Sequence, residues 1–296
     1  MKKIIVGSRD SKLAVAQTKL VIERLKKYNE LAIEIKTFRT SGDMLSTQSV
    51  DQVTTKGLFV KELDEALREK KIDLAVHSLK DMPMEVAEDL PIVALMKRGD
   101  PRDVAVFRKG VYDGRNHFTA MKVGTSSLRR SIQFMSLYHE AKVEAVRGNV
   151  LTRLKKLESG QYDALILAAA GLKRLGLEDR IGMYFDVEEI MPAAGQGILA
   201  VQARKGMDVS FLNEINEEDT MVVAKAERAY VKELNGGCES PVAAYGEIKN
   251  NKLYLSGLFY REDTDQFYKE TVIGSKDDPE AFGRDFAAYM RRRYRN

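Results

Sequence analysis

Three groups of residues in this chain carry side chains and spacings suited to chemistry. Cys238 is the only cysteine among 296 residues, and it follows Asn235-Gly236-Gly237. A lone thiol closes no intramolecular disulfide, and two preceding glycines let backbone and reactants come close, so the position suits chemistry; an inert buried thiol is the plainer alternative. In Val76-His77-Ser78-Leu79-Lys80-Asp81-Met82-Pro83, a predicted strand runs into a proline-stopped segment that sets a carboxylate beside a lysine. A fixed negative charge there would stabilise a cationic intermediate or move a proton, whereas a solvated ion pair would do neither. The third group is Gly124-Thr125-Ser126-Ser127-Leu128-Arg129-Arg130, joined by Arg147-Gly148-Asn149, Arg153 and Gly171-Leu172-Lys173-Arg174. With Arg9, these place six arginines at loops, helix starts or strand ends. Guanidinium forks, hydroxyls and helix-terminal N–H groups suit carboxylate or phosphate, and this clustering favours a polyanion site over a solvated scatter.

The elements that must position these groups follow from periodicity. Residues 4–6 read as a buried strand, 13–27 as an amphipathic helix, 32–38 as a strand, 58–70 as a helix and 72–76 as a third strand. The order returns after Lys122: a short strand, the Gly-Thr-Ser-Ser turn, a helix, a strand at 143–146, a helix at 150–157 and a strand at 162–167. Two similar α/β domains result, each with a small-residue turn at the carboxyl end of a strand, where open sheets bind ligands and helix N-termini favour anions. Ala194-Gly195-Gln196-Gly197 reads as a hinge or crossover. The last segment differs: a helix over 217–234, the Gly-Gly-Cys loop, strands at 242–248, 253–260 and 266–273 with Asn250-Asn251 as a hairpin turn, and a final helix from about Asp278. That is a small α+β domain.

Composition narrows the function classes. Lys and Arg number 48 against 44 Asp and Glu, a net charge of +4 that is weak support for nucleic-acid binding in a chain this long. The Arg291-Arg292-Arg293-Tyr294-Arg295 run reads as a solvated helix terminus, favourable to the helix dipole. No apolar run approaches the roughly 18 residues of a membrane span, and no signal peptide is recognisable, so a cytoplasmic location is expected. One cysteine and three scattered histidines offer no metal-ligand spacing, so no metal is expected.

Taken together, Val76 to Pro83, Asp100-Pro101-Arg102-Asp103, Gly124 to Arg130, Arg147-Gly148-Asn149, Ala169-Ala170-Gly171-Leu172-Lys173-Arg174-Leu175-Gly176 and Gly236-Gly237-Cys238 resemble hydroxymethylbilane synthase, also called porphobilinogen deaminase. The likeness runs in the family's order from Val6 to beyond Cys238. It implies an α/β fold of two periplasmic-binding-protein-like (type II) domains plus a small C-terminal α+β domain. The expected divisions are 1–97 with 195–215, 98–194, and 216–296. It further implies a dipyrromethane cofactor joined by a thioether to Cys238, and stepwise deaminating condensation of four porphobilinogen molecules onto that primer before hydrolytic release of linear hydroxymethylbilane.

By motif position, Asp81 is the catalytic carboxylate. Arg9, Lys80, Arg129, Arg130, Arg147, Arg153 and Arg174 are expected to hold the acetate and propionate groups of substrate and cofactor, assisted by Ser11, Phe59, Ser78, Thr125, Ser126 and Ser127. The partners implied are porphobilinogen and oligopyrrole intermediates, with no nucleic acid, no membrane and a monomeric state. Some positions depart from the family pattern: Ser41, Gln52, Thr54-Thr55 and Glu239-Ser240. Two alternatives stand beside this reading: a non-enzymatic anion-binding protein, which the two-lobed fold alone would allow, and a degenerate, non-processive synthase, which the altered 41–56 loop suggests.

Overall fold

A computed structural model describes residues 3–28, 30–39, 60–111, 118–235 and 241–294. The chain divides into two compact units, one of residues 1–99 with 197–220 and the other of residues 100–196 with 221–296. In chain order the first unit opens with β1 (Lys3–Arg9), α1 (Lys12–Lys26), β2 (Ala32–Phe38), α2 (Lys61–Arg68), β3 (Leu74–Ser78) and β4 (Ile92–Leu95). The second begins with β5 (Asp103–Phe107), β6 (Lys122–Gly124), α3 (Leu128–Leu137), β7 (Lys142–Glu144), α4 (Val150–Glu158), β8 (Ala164–Ala168), α5 (Ala169–Arg174) and β9 (Met183–Tyr184). The chain then returns to the first unit as β10 (Leu199–Ala203) and continues through α6 (Glu218–Glu233), β11 (Ala243–Lys249), β12 (Lys252–Arg261), β13 (Gln266–Gly274) and α7 (Pro279–Tyr294).

The first sheet has the order β2-β1-β3-β10-β4 and the second β7-β6-β8-β5-β9. In each, four strands run in one direction, and the fourth in the order, β10 or β5, is antiparallel to both its neighbours. That fourth strand is the first one formed after the chain has crossed from the other unit. This duplicated, twice-crossed arrangement is the expected pair of type II periplasmic-binding-protein-like α/β domains.

The two first strands share a packing constraint. A Cβ built on Gly7 would lie 2.3 Å from Ile72 Cδ1, and one on Gly124 would lie 2.6 Å from Leu165 Cδ2. A side chain at either position would force its neighbours aside, Ile72 and Leu63 at Gly7, Leu165 and Tyr162 at Gly124. On one face of the first sheet, Ile4, Val6, Leu74, Val76 and Val201 pack with Val21, Ile22 and Leu25 of α1; on the other, Ala75 packs with Leu63, Ala66 and Leu67 of α2. In the second unit Phe118, Phe134 and Phe185 fill the core, with Phe118 and Phe134 edge-to-face at 4.8 Å.

β11, β12 and β13 form an antiparallel sheet. Lys249 pairs with Lys252 across Asn250 and Asn251, whose φ values of 49° and 59° make the left-handed two-residue turn that the Asn-Asn sequence predicts. Tyr230 of α6 and Phe286 of α7 pack as a tilted ring pair, centroids 5.0 Å apart, against Gly257, where any Cβ would collide with both rings.

Sequence expectation and structure differ at several boundaries. The third strand starts at Leu74 because Asp73 is used as a link: its Oδ2 accepts from Ile5 N at 2.9 Å and its Oδ1 pairs with Arg204 at 3.2 Å. The strand expected over 143–146 is Lys142–Glu144, since Val146 N donates to Ser126 Oγ instead of to a neighbouring strand. Strands β4, β5, β9 and β10 are not among the elements the sequence predicts.

Candidate active site

In the first unit β1 and β3 run parallel, with Val6 paired to Leu74, so Arg9 and Ser78 end at the same edge of the sheet. Ser11 caps α1, its Oγ accepting from Ala14 N at 3.1 Å. One turn further, the buried Gln17 donates from Nε2 to Ser78 Oγ at 2.9 Å, which fixes the last residue of β3. The chain then makes one tight helical turn over Leu79–Asp81, held by Leu79 N to Ile198 O at 3.0 Å and Met82 N to Leu79 O at 3.2 Å. Leu79 and Met82 are buried, Lys80 is half-buried, and Asp81 is exposed. Burying the residues that flank the Lys80-Asp81 pair fixes its backbone while its carboxylate stays accessible.

In the second unit β6, β7 and β8 are parallel, so the Thr125–Ser127 turn, the Arg147 loop and the start of α5 share one sheet edge. Thr125 is buried and its Oγ1 accepts from Ser127 N at 3.2 Å. Ser126 Oγ donates to Val146 O at 2.7 Å, which ties this turn to the residue before Arg147. Ser127 is the N-cap of α3 and makes no side-chain capping bond, which leaves its hydroxyl and the helix N-terminus as anion donors.

Gly148 has a φ of +111°, and a Cβ there would meet Thr152 at 2.7 Å, so the Arg147-Gly148-Asn149 turn needs its glycine. Asn149 caps α4 by accepting from Thr152 N at 3.0 Å, and Arg153 Nε donates to Gly148 O at 2.7 Å. Arg147 is exposed and has no ion pair among the described residues. Arg174, the last residue of α5, is half-buried, and burial lowers its guanidinium to about 10. The neighbouring Lys173 is fixed by Asp100 at 3.0 Å and Glu178 at 3.1 Å.

Arg129 and Arg130 are held in a different way from the other arginines. Both are buried against Asp103 at the start of β5, whose side chain has no exposure; Arg129 Nη1 and Arg130 Nη2 each lie 2.8 Å from it. Arg129 also donates to Met191 O at 2.6 Å and Arg130 to Ile166 O at 3.2 Å, while Gln196 Nε2 donates to Asp103 Oδ1 at 2.9 Å. Burial raises the Asp103 carboxyl, but the two guanidiniums outweigh it and hold the group well below the usual carboxylate range. Two cations share one anion, so the cluster keeps a positive charge.

A family profile described as "Porphobilinogen deaminase, dipyromethane cofactor binding domain" matches residues 4–210, and "Porphobilinogen deaminase, C-terminal domain" matches residues 221–292. The chain belongs to the porphobilinogen deaminase family. It is 51% identical over 290 residues to "Porphobilinogen deaminase" from Alkaliphilus oremlandii, covering 98% of this chain and 97% of that one. It is also 51% identical over 289 residues to the protein of that name from Acetivibrio thermocellus, covering 97% and 98% of the two chains. The activity is that of hydroxymethylbilane synthase, a transferase of tetrapyrrole (heme) biosynthesis acting on porphobilinogen, and the family's cofactor is dipyrromethane. The non-enzymatic alternative is not favoured.

The described residues fit a polycarboxylate group of the kind porphobilinogen deaminases carry. An accessible guanidinium at Arg147, an N-terminus of α3 without a side-chain cap and the hydroxyl of Ser127 are donors without acceptors of their own kind. Cys238, Phe59 and the 41–56 loop lie outside the described residues. Sequence reading did not single out Asp103 as the counter-ion of Arg129 and Arg130, nor Gln17 as the partner of Ser78. The only available signals were an aspartate in the Asp100-Pro101-Arg102-Asp103 block and a glutamine among the apolar positions of α1.

Proposed function

We propose that Asp81 is the catalytic carboxylate, that Cys238 carries the primer, and that Arg9, Lys80, Arg129, Arg130, Arg147, Arg153 and Arg174 bind the acetate and propionate groups. Bound through a thioether to Cys238, dipyrromethane supplies the pyrrole carbon that acts as nucleophile. Asp81 stabilises positive charge on the pyrrole nitrogen of porphobilinogen as ammonia leaves, and again before the proton is lost. One carboxylate serves every round because each round generates the same charge. Ser78 and Lys80, next to Asp81 in the chain, orient substrate carboxylates, and Ser11, Phe59, Thr125, Ser126 and Ser127 assist.

The observation that carries this reading is the accessible Asp81 on a backbone fixed by Gln17, Leu79 and Met82. The arginines supply charge-assisted hydrogen bonds, each worth on the order of 1.5 to 3 kcal/mol. The enzyme acts as a cytoplasmic monomer without nucleic acid or membrane, and its chain comprises three domains, 1–97 with 195–215, 98–194 and 216–296. No helix among the described residues is long and apolar enough to cross a membrane.

Replacing Asp81 by Asn tests the assignment. The amide is isosteric but neutral, so turnover should fall by about a hundredfold or more while the primer mass and thermal stability stay unchanged. Near-normal turnover would remove Asp81 from the mechanism.

A further inference from the structure

His77 immediately precedes Ser78 on β3, and it is buried. Its role follows from the register. His77 pairs with Ala200 and Ala75 with Gln202, which sets His77 and Gln202 diagonally across β3 and β10 on one face of the sheet. Their side chains meet, His77 Nε2 to Gln202 Oε1, at 3.1 Å. The amide orientation is fixed from the far side, because Gln202 Nε2 donates to Leu90 O at 2.8 Å. Gln202 Oε1 is therefore the acceptor, and the imidazole presents Nε2–H. Burial pushes the His77 ring down to about 4, with the charge of Arg9 adding to the effect, so the donor is a neutral imidazole at neutral pH.

The adjacent residue is held from the opposite face. Ser78 accepts from Gln17 of α1, whereas His77 is bonded on the face that carries α2. Two consecutive residues are thus fixed from both faces of the sheet, and the chain then makes its single turn to Asp81.

We propose that His77 and Gln202 form a positioning pair that sets the Lys80-Asp81 turn for each round of condensation, a role that rests on the assignment of Asp81 above. The pair touches neither substrate nor cofactor. It acts by denying the end of β3 any rotation about the strand axis, which would carry the Asp81 carboxylate away from the pyrrole nitrogen.

The test uses holoenzyme with primer mass verified, comparing His77→Leu, Gln202→Met, the double variant and His77→Gln, which keeps an N–H donor at the reach of Nε2. Both single variants should lower kcat by about tenfold to a hundredfold with KM for porphobilinogen within about twofold, since misplacement costs rate more than affinity. The double variant should lose no more than either single one, and His77→Gln should recover most of the rate. Normal kcat in either single variant overturns the proposal, as does a His77→Gln enzyme as slow as His77→Leu. If His77→Leu does not fold, Gln202→Met makes the same cut from the acceptor side and decides alone. Failure of the underlying reading is separable: it appears as full turnover in Asp81→Asn whatever the His77 variants do.

Discussion

Asp103 and Arg130 form a buried ion pair, Oδ1 to Nη2 at 2.8 Å, and the second oxygen of the same carboxylate lies 2.8 Å from Arg129 Nη1. The first residue of β5 thereby fixes the first turn of α3. Replacing Asp103 by Asn would strand two buried guanidiniums with no counter-charge. The expected cost is about 3 to 5 kcal/mol of folding stability, read as a lower denaturant midpoint. A variant with unchanged midpoint would show that the pair is not what holds these arginines.

Arg147 should behave in the opposite way. It is exposed and has no ion pair among the described residues, so Arg147→Leu should leave stability within about 0.5 kcal/mol of the parent. Losing one charge-assisted contact should weaken binding of the growing chain about tenfold to a hundredfold. Intact mass spectrometry during turnover should then show the enzyme accumulating at a part-built intermediate. Normal turnover without trapped species would exclude Arg147 from chain binding.

Acid should act through His77. Its folded pKa is depressed to about 4 against an ordinary value of 6.5. The unfolded chain therefore binds the proton more readily, and the stability held above about pH 6.5 is lost as pH falls toward 4. Denaturant unfolding at pH 7.5 and 4.5 should show a loss about 2 to 3 kcal/mol larger in the parent than in His77→Gln, which cannot titrate. Equal losses in the two proteins would show that His77 is not kept neutral by the fold.

The segment from Val76 to Pro83 was legible in the sequence because its signals are local. A buried apolar run entering His-Ser-Leu-Lys-Asp and closed by Met-Pro predicts a strand followed by a stopped turn; the strand runs two residues beyond the expected end at Val76, to Ser78, with Asp81 one turn on. The Asn250-Asn251 turn and the two repeated α/β openings were legible for the same reason. What the sequence did not reveal depends on distant partners. Gln202 lies 125 positions from His77, Asp103 lies 27 from Arg130, and no periodicity links either pair. The arginine doublet shows the same limit: sequence predicts two guanidiniums at a helix start, but only the fold shows that a buried carboxylate reaches both.

The most direct test of the account is the intact mass of the denatured protein beside a Cys238→Ser variant. An excess equal to one thioether-linked dipyrromethane is expected in the parent and none in the variant. A bare parent chain that stays bare after incubation with porphobilinogen or preformed hydroxymethylbilane would contradict it, as would an equal mass excess on the serine variant.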